Sequence, residues 1–320
     1  MTAPVAPLSL KPLGPADAGE VQALTNRISD ETGMLLQAPG ERPPIGPMTA
    51  LLELLSISPE SGIAIGAWQE GRLAGYGMAL ADSGSGLSGF WHIALAVDAP
   101  ARAKGLGKAL IAGLAGCGRA AGAHHLLLSV RTINAPGLGL YRSAGFDRLG
   151  LLAGNLACES GGNDEWMMAL ALAGDAPGTL PLPALPPPVA PARALPVRRL
   201  AVLGPSLAAS WHALGPDGVA DTALWPTFEL GDGQFLVQLQ PGGMQRTRHA
   251  ARLALAARTG SPPGALAGAV QSLPDLREGL RRLTLRVPTD GMMEAILAGA
   301  GWQREYVLPG GAIAGWALVA

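Results

Sequence analysis

Apolar positions in the first half of the chain switch repeatedly between helical and strand periods, and the switches lay out one domain. After a strand-like stretch from Leu8 to Leu13, Val21, Leu24 and Ile28 recur at helical spacing behind Asp17, a candidate cap. "MTALLELLS" predicts a second, short helix with Thr49 as its candidate cap. "GIAIGAW", a turn at Gln69 to Arg72, and "RLAGYGMALAD" predict a hairpin, which "GFWHIALAV" extends to a three-stranded meander. Leu106, Leu110, Leu114 and Cys117 then form one face of an amphipathic helix that Gly122 ends. "HHLLLSV" is almost continuously apolar, as in a strand buried on both faces. "APGLGLYRSAG" predicts a glycine-interrupted helix ending at Gly145, followed by closing strands at "FDRLGLL" and "EWMMALAL". The predicted order is β-α-α-β-β-β-α-β-α-β-β.

From Asp175 to Pro196 proline forbids helix and central strand and favours an extended, semi-rigid spacer. This predicts a domain over residues 1–174, a linker over 175–196 and a second domain over 197–320. The 320 residues suffice for two such cores.

The formal net charge is −1, with Lys and Arg scattered, so no footprint for nucleic acid or an anionic membrane is expected. Cys117 and Cys158 are the two cysteines, and they form no disulfide framework or zinc spacing; no metal site is expected. Apolar runs break before membrane-spanning length and the N-terminal pattern is not that of a leader, so a cytoplasmic protein is expected.

Charge and glycine concentrate in "ARAKGLGKAL", Ala101 to Leu110, between a predicted strand and helix. At such a junction free backbone N–H groups and the positive end of the helix dipole converge on an anion. Gly105 and Gly107 would let amides approach phosphate oxygens, and Arg102, Lys104 and Lys108 would supply charge, which suits a pyrophosphate. A P-loop is excluded because Arg102 stands where its first glycine belongs and Ala109 follows Lys108. The dinucleotide fingerprint fails at Leu110, the place of its third glycine.

With Val97 five residues before Arg102, then Gly105 and Gly107, this block resembles the acyl-CoA loop of the GNAT superfamily of N-acetyltransferases, V-x-x-x-x-R/Q-x-x-G-x-G/A. The family's next block is matched by Asn134, Leu140, Tyr141, Gly145 and Phe146, and the resemblance covers roughly Leu8 to Leu172. It implies an acetyl-CoA-dependent N-acyltransferase. The backbones of Leu95 and Val97 would hold the pantetheine arm. The turn of Arg102, Ala103, Lys104, Gly105, Leu106, Gly107 and Lys108 would cradle the pyrophosphate, and Asn134 would contact the cofactor. Tyr141 would protonate the leaving thiolate. His92, with a pKa suited to the task, is the candidate base beside the competing readings of an edge histidine or a substrate contact. Glu159, Asp164 and Glu165 are expected in a solvated loop, and His124 and His125 are expected to be structural. The acceptor would be an amine on a small molecule or peptide.

The second half carries weak parallels in the same order: Leu13–Leu24 with Leu203–Leu214, "LLLSVRTINAPGLGLYRSAGF" (Leu126–Phe146) with "LTLRVPTDGMMEAILAGAGW", and "EWMMALAL" with "GWALVA". They predict a degenerate GNAT-like copy, hence an α/β chain of two such domains, each a twisted, mixed, mostly antiparallel sheet flanked by helices. Setting "LALAA" on "IALAV" puts Pro262, Ala265 and Ala267 where Arg102, Gly105 and Gly107 stand, and Leu297 replaces Tyr141. Proline removes a donor and alanine adds a Cβ, so this copy is not expected to run the same chemistry. A pseudo-dimeric monomer and a homodimer both stay open. A non-catalytic acyl-CoA sensor and an interaction module presenting the proline-rich segment are the rival functions.

Overall fold

The computed structural model describes residues 9–82, 87, 89–158, 163–172, 184–200, 211–214, 216–217, 226–241, 247, 249–262, 264–277 and 279–319. The chain divides into two compact units: residues 1–83, 87–148 and 166–176 form the first, and residues 84–86, 149–165 and 177–320 the second.

Through residue 171 the chain follows the predicted order: β1 (Ser9–Pro12), α1 (Ala18–Thr32), α2 (Gly46–Ile57), β2 (Gly62–Gln69), β3 (Arg72–Ala81), β4 (Phe90–Val97), α3 (Leu106–Ala120), β5 (His125–Arg131), α4 (Ala135–Ser143), β6 (Asp147–Leu152) and β7 (Glu165–Ala171). The sheet runs β1-β2-β3-β4-β5-β7-β6. The β2–β3 hairpin turns at Glu70 and Gly71, both with positive φ, which matches the right-handed twist of the strands it joins.

Helix boundaries differ from expectation at two caps. Asp17 precedes α1 but caps none of its amides; its carboxylate accepts from the Gly14 N–H at 2.9 Å. Thr49 lies inside α2, which begins three residues earlier with Pro47 in its first turn, a position where the missing N–H costs nothing.

Two apolar layers cover the sheet. On one face α3 lays down Leu106, Leu110, Ile111 and Leu114 beside Trp91, Leu126 and Leu128. Helix and strand approach closely because β3 carries Gly77, where an added Cβ would lie 3.0 Å from the Leu114 side chain. On the other face Val21, Leu24 and Ile28 of α1 meet Leu52 and Leu55 of α2 and Tyr76 and Met78 of the sheet. Each fully buried aliphatic side chain contributes about 1.5–3 kcal/mol here.

The second unit contains β8 (Val197–Leu200), β9 (Trp211–Ala213), β10 (Thr227–Leu230), β11 (Phe235–Pro241), β12 (Ala250–Arg258), α5 (Ala265–Ser272), β13 (Arg282–Pro288), α6 (Met292–Gly299), β14 (Gln303–Val307) and β15 (Ile313–Val319). Its sheet runs β8-β10-β11-β12-β13-β15-β14, with β9 pairing β12 off this path. Strand for strand this repeats the first sheet, including a parallel central pair with a helix in its crossover, β4–α3–β5 and β12–α5–β13. The fold is therefore mixed α/β, with two mixed sheets of matching strand order flanked by helices. The parallel between Leu13–Leu24 and Leu203–Leu214 does not extend to its last residues: α1 is helical, whereas Trp211–Ala213 is a strand, and residues 203–210 lie outside those described.

Candidate functional site

The site begins where β4 and β5 part. Their parallel register holds for three pairs, Phe90 with His125, Trp91 with Leu126 and His92 with Leu127, and ends there. Backbone groups alternate sides along a strand. The Asp98 N–H donates to Ala74 O of β3 and Phe90 O accepts from Asp82, so even-numbered residues of β4 face β3. Leu95 and Val97 therefore aim their amides and carbonyls into the widening gap beside β5.

After β4 the chain turns through Arg102–Gly105. Ala103 (φ 59°) and Gly105 (φ 83°) lie in the left-handed region, a conformation costing about 1–2 kcal/mol for a residue bearing a Cβ. The first bond of the helix runs from the Ala109 N–H to Gly105 O at 3.1 Å. Consequently the backbone N–H groups of residues 103–108 find no acceptor among the described residues. Successive amides exposed by a left-handed turn at a helix N-terminus form a concave cradle for anions.

The loop and the gap line one cleft of about 1050 Å³. Leu95, Val97, Arg102, Ala103, Gly105, Leu106, Gly107, Lys108, Asn134 and Tyr141 all reach it, so ten of the twelve residues expected from sequence are brought together. Lys104 is exposed and does not line it. Neither does His92. It stands three residues before Leu95, about 10 Å along the strand, and its Nε2 lies 3.2 Å from Asp82 Oδ2. Among the described residues the cleft is lined by no carboxylate and no imidazole.

Several side chains do work that their spacing did not reveal. The Arg102 guanidinium donates to both Glu31 carboxylate oxygens, at 2.6 and 2.8 Å, and its Nε–H donates to Val97 O at 3.0 Å. It ties the loop to the end of α1 and to β4. Gly107 packs against α4: an added Cβ would stand 2.7 Å from the Leu140 side chain. Asn134 caps α4, its Oδ1 accepting from the Gly137 N–H at 3.0 Å. Tyr141 stands edge-on to Phe146, with ring centroids 5.6 Å apart, and burial pushes its phenol up to about 12. Its hydroxyl therefore keeps its proton throughout the neutral range.

Ile28, Thr32, Met34, Leu35 and Ile133 complete the cleft as apolar or weakly polar wall. Periodicity marks Ile28 as core, but nothing in the order of residues marks the turn after α1, ended by Gly33 at φ 60°, as facing β4.

The acids beside the closing strands are engaged rather than free in solvent. Asp164 accepts from the Gly154 N–H at 2.8 Å. Glu165 is buried and accepts from the Asn155 side chain at 2.6 Å, which corrects its expected place in a solvated loop. Glu159 lies outside the described residues. His125 stacks on Phe90 at 5.2 Å, and burial holds its imidazole below the usual range.

A splayed parallel pair, a run of open amides at a helix N-terminus and a proton-bearing tyrosine thus meet in one cleft. Residues 32–146 match the model of the Acetyltransferase (GNAT) family. No curated protein sequence matches the chain. Among solved structures, it is similar to an acetyltransferase of the GNAT family from Streptococcus pneumoniae, at 24% identity over 52% of this chain and 100% of that one, with a TM-score of 0.48. It is also similar to a phosphinothricin acetyltransferase from Sinorhizobium meliloti in complex with acetyl-CoA (20%, 52% and 89%, TM-score 0.47). A third is the ribosomal-protein-alanine N-acetyltransferase from Brucella melitensis (21%, 51% and 99%, TM-score 0.46). Among the described residues no helix is long and apolar enough to cross a membrane.

Proposed function

We propose that the first unit transfers an acyl group, with acetyl-CoA as donor, to an amine on a small molecule or peptide. The observation that carries this reading is the run of acceptor-free amides at residues 103–108, opening on the same cleft as Tyr141. The backbone cradle and Lys108 would hold the diphosphate, and the Leu95 and Val97 edge would pair with the amide-bearing arm. The thioester supplies an activated carbonyl. When the neutral amine attacks it, a C–N bond forms and a backbone N–H of the splayed strand stabilises the developing oxyanion; the C–S bond breaks as Tyr141 gives its proton to the departing thiolate, and the proton shed by the nitrogen passes to solvent, which reprotonates Tyr141. Arg102 acts in this reading as a clamp on the loop, because its guanidinium is occupied by Glu31. His92 does not line the cleft and is given no role in this reading.

The test is calorimetric titration with acetyl-CoA, followed by thiol release over a panel of amines. Gly105→Val should weaken acetyl-CoA binding about tenfold, because a β-branched residue must pay roughly 1–2 kcal/mol to hold φ near +83°. Absence of binding by the wild-type chain refutes the proposal. Binding without turnover for any amine favours the acyl-CoA sensor.

A further inference from the structure

The second unit has the same splayed pair and the same crossover helix, and its equivalent groove is filled by its own chain. Register fixes the equivalence. Phe90 of β4 pairs His125 at the start of β5, and Ala250 of β12 pairs Arg282 at the start of β13, so Leu95 and Val97 correspond to Leu255 and Ala257. At these two positions the gap beside β13 holds β9: Ala257 pairs His212, and Leu255 O accepts from the Leu214 N–H at 2.9 Å. The other edge of β12 is already taken by β11, which pairs Ala257 and Leu255 with Phe235 and Val237.

A second segment covers the helices. The turn closing α6 repeats the one closing α4, with Trp302 N–H donating to Leu297 O as Phe146 N–H donates to Tyr141 O, both at 3.0 Å. Ala295 and Gly299 thus stand where Gly139 and Ser143 line the first cleft. Across them lies the proline-rich stretch. Val189 N–H donates to Ala295 O at 2.9 Å, and a Cβ on Gly299 would fall 1.8 Å from Val189 O. On α5, Gly268 meets Arg193 O at a would-be 2.7 Å, and the Ser272 hydroxyl both accepts from the Leu195 N–H (2.7 Å) and donates to Leu195 O (2.9 Å).

We propose that the α5–α6 face of the second unit is a binding groove for an extended peptide segment. Its resident ligand is residues 189–195 of the same chain, and with β9 in the splay this leaves no room for a CoA thioester. Glycine at 268 and 299 is what lets a backbone lie this close to two helices, and proline costs the strap nothing because an extended strap is already its preferred form. The proposal rests on the reading of the first unit only for what the groove has replaced; the occupancy itself is independent of it.

Hydrogen exchange on the full chain tests it. The Val189, Leu195 and Ala257 amides should exchange roughly tenfold or more slower than unstructured peptide, with or without saturating acetyl-CoA. Ser272→Ala, which leaves the core volume nearly unchanged, should speed exchange at Leu195 about tenfold, and Val189→Pro should do so across the strap without burying a new group. Free exchange at Val189 and Leu195 in the wild type, or no response to either variant, overturns the proposal. Binding of two acetyl-CoA molecules per chain overturns it as well. If no acetyl-CoA binds while the strap stays protected, the first unit's proposed function fails and the groove stands.

Discussion

Tyr141→Phe is expected to lower kcat about 10²–10⁴-fold while leaving the dissociation constant of acetyl-CoA within about twofold. The substitution removes one hydroxyl and keeps the ring, which packs edge-on against Phe146 and holds α4 in the core. Binding draws on the amide cradle at residues 103–108, where the phenol takes no part. The pH profile gives a second readout. A phenol pushed up to about 12 by burial stays protonated, so the wild-type rate should not decline between pH 7 and about 10 through loss of this proton. With no carboxylate or imidazole among the described lining residues, kcat/KM should instead rise with pH as the amine itself deprotonates, and level off near the acceptor's own pKa. Steady-state kinetics beside calorimetry decide the matter: full activity in the Phe variant removes Tyr141 from the chemistry.

Arg282→Met is expected to cost the second unit about 3–5 kcal/mol, measured by denaturant unfolding. The Arg282 and Glu305 side chains are only 1% and 7% exposed and are bonded to one another. Removing the guanidinium leaves a carboxylate buried without its partner, which costs more than the pair was worth. Burial already holds the Glu305 carboxyl above its usual range in the intact pair, outweighing the pull of Arg282. A folded-state value raised above the unfolded one makes stability greatest below the unfolded value and lowers it as pH rises through the folded one. In the variant that rise is larger, so its deficit against wild type should shrink as pH falls towards about 4. Adding Glu305→Gln should restore most of the loss at neutral pH. A single variant as stable as wild type would show that solvent reaches the carboxylate.

Much of the first unit was legible because its elements are short-range objects. The face of α3 and the meander are periodic, and turn glycines mark their ends. Two linked motifs singled out Arg102, Gly105, Gly107, Asn134 and Tyr141, which the fold brings to one cleft. The roles behind some of those positions were not legible. Gly107 serves a helix–helix approach to Leu140, Asn134 is a cap, and Arg102 spends its charge on Glu31, seventy-one residues away in sequence. Each depends on a partner that no local spacing specifies.

By itself the sequence determined the order of elements in the first unit and the glycine-rich turn before α3, because strand and helix periods and backbone-permissive residues act over a few positions. Only the tertiary structure decided that His92 stays away from the cleft and that Glu31 holds Arg102. It also decided that residues 189–195 lie against α5 and α6. Those outcomes turn on which surfaces meet after strands pair, and long-range pairing is a property of the whole packed sheet.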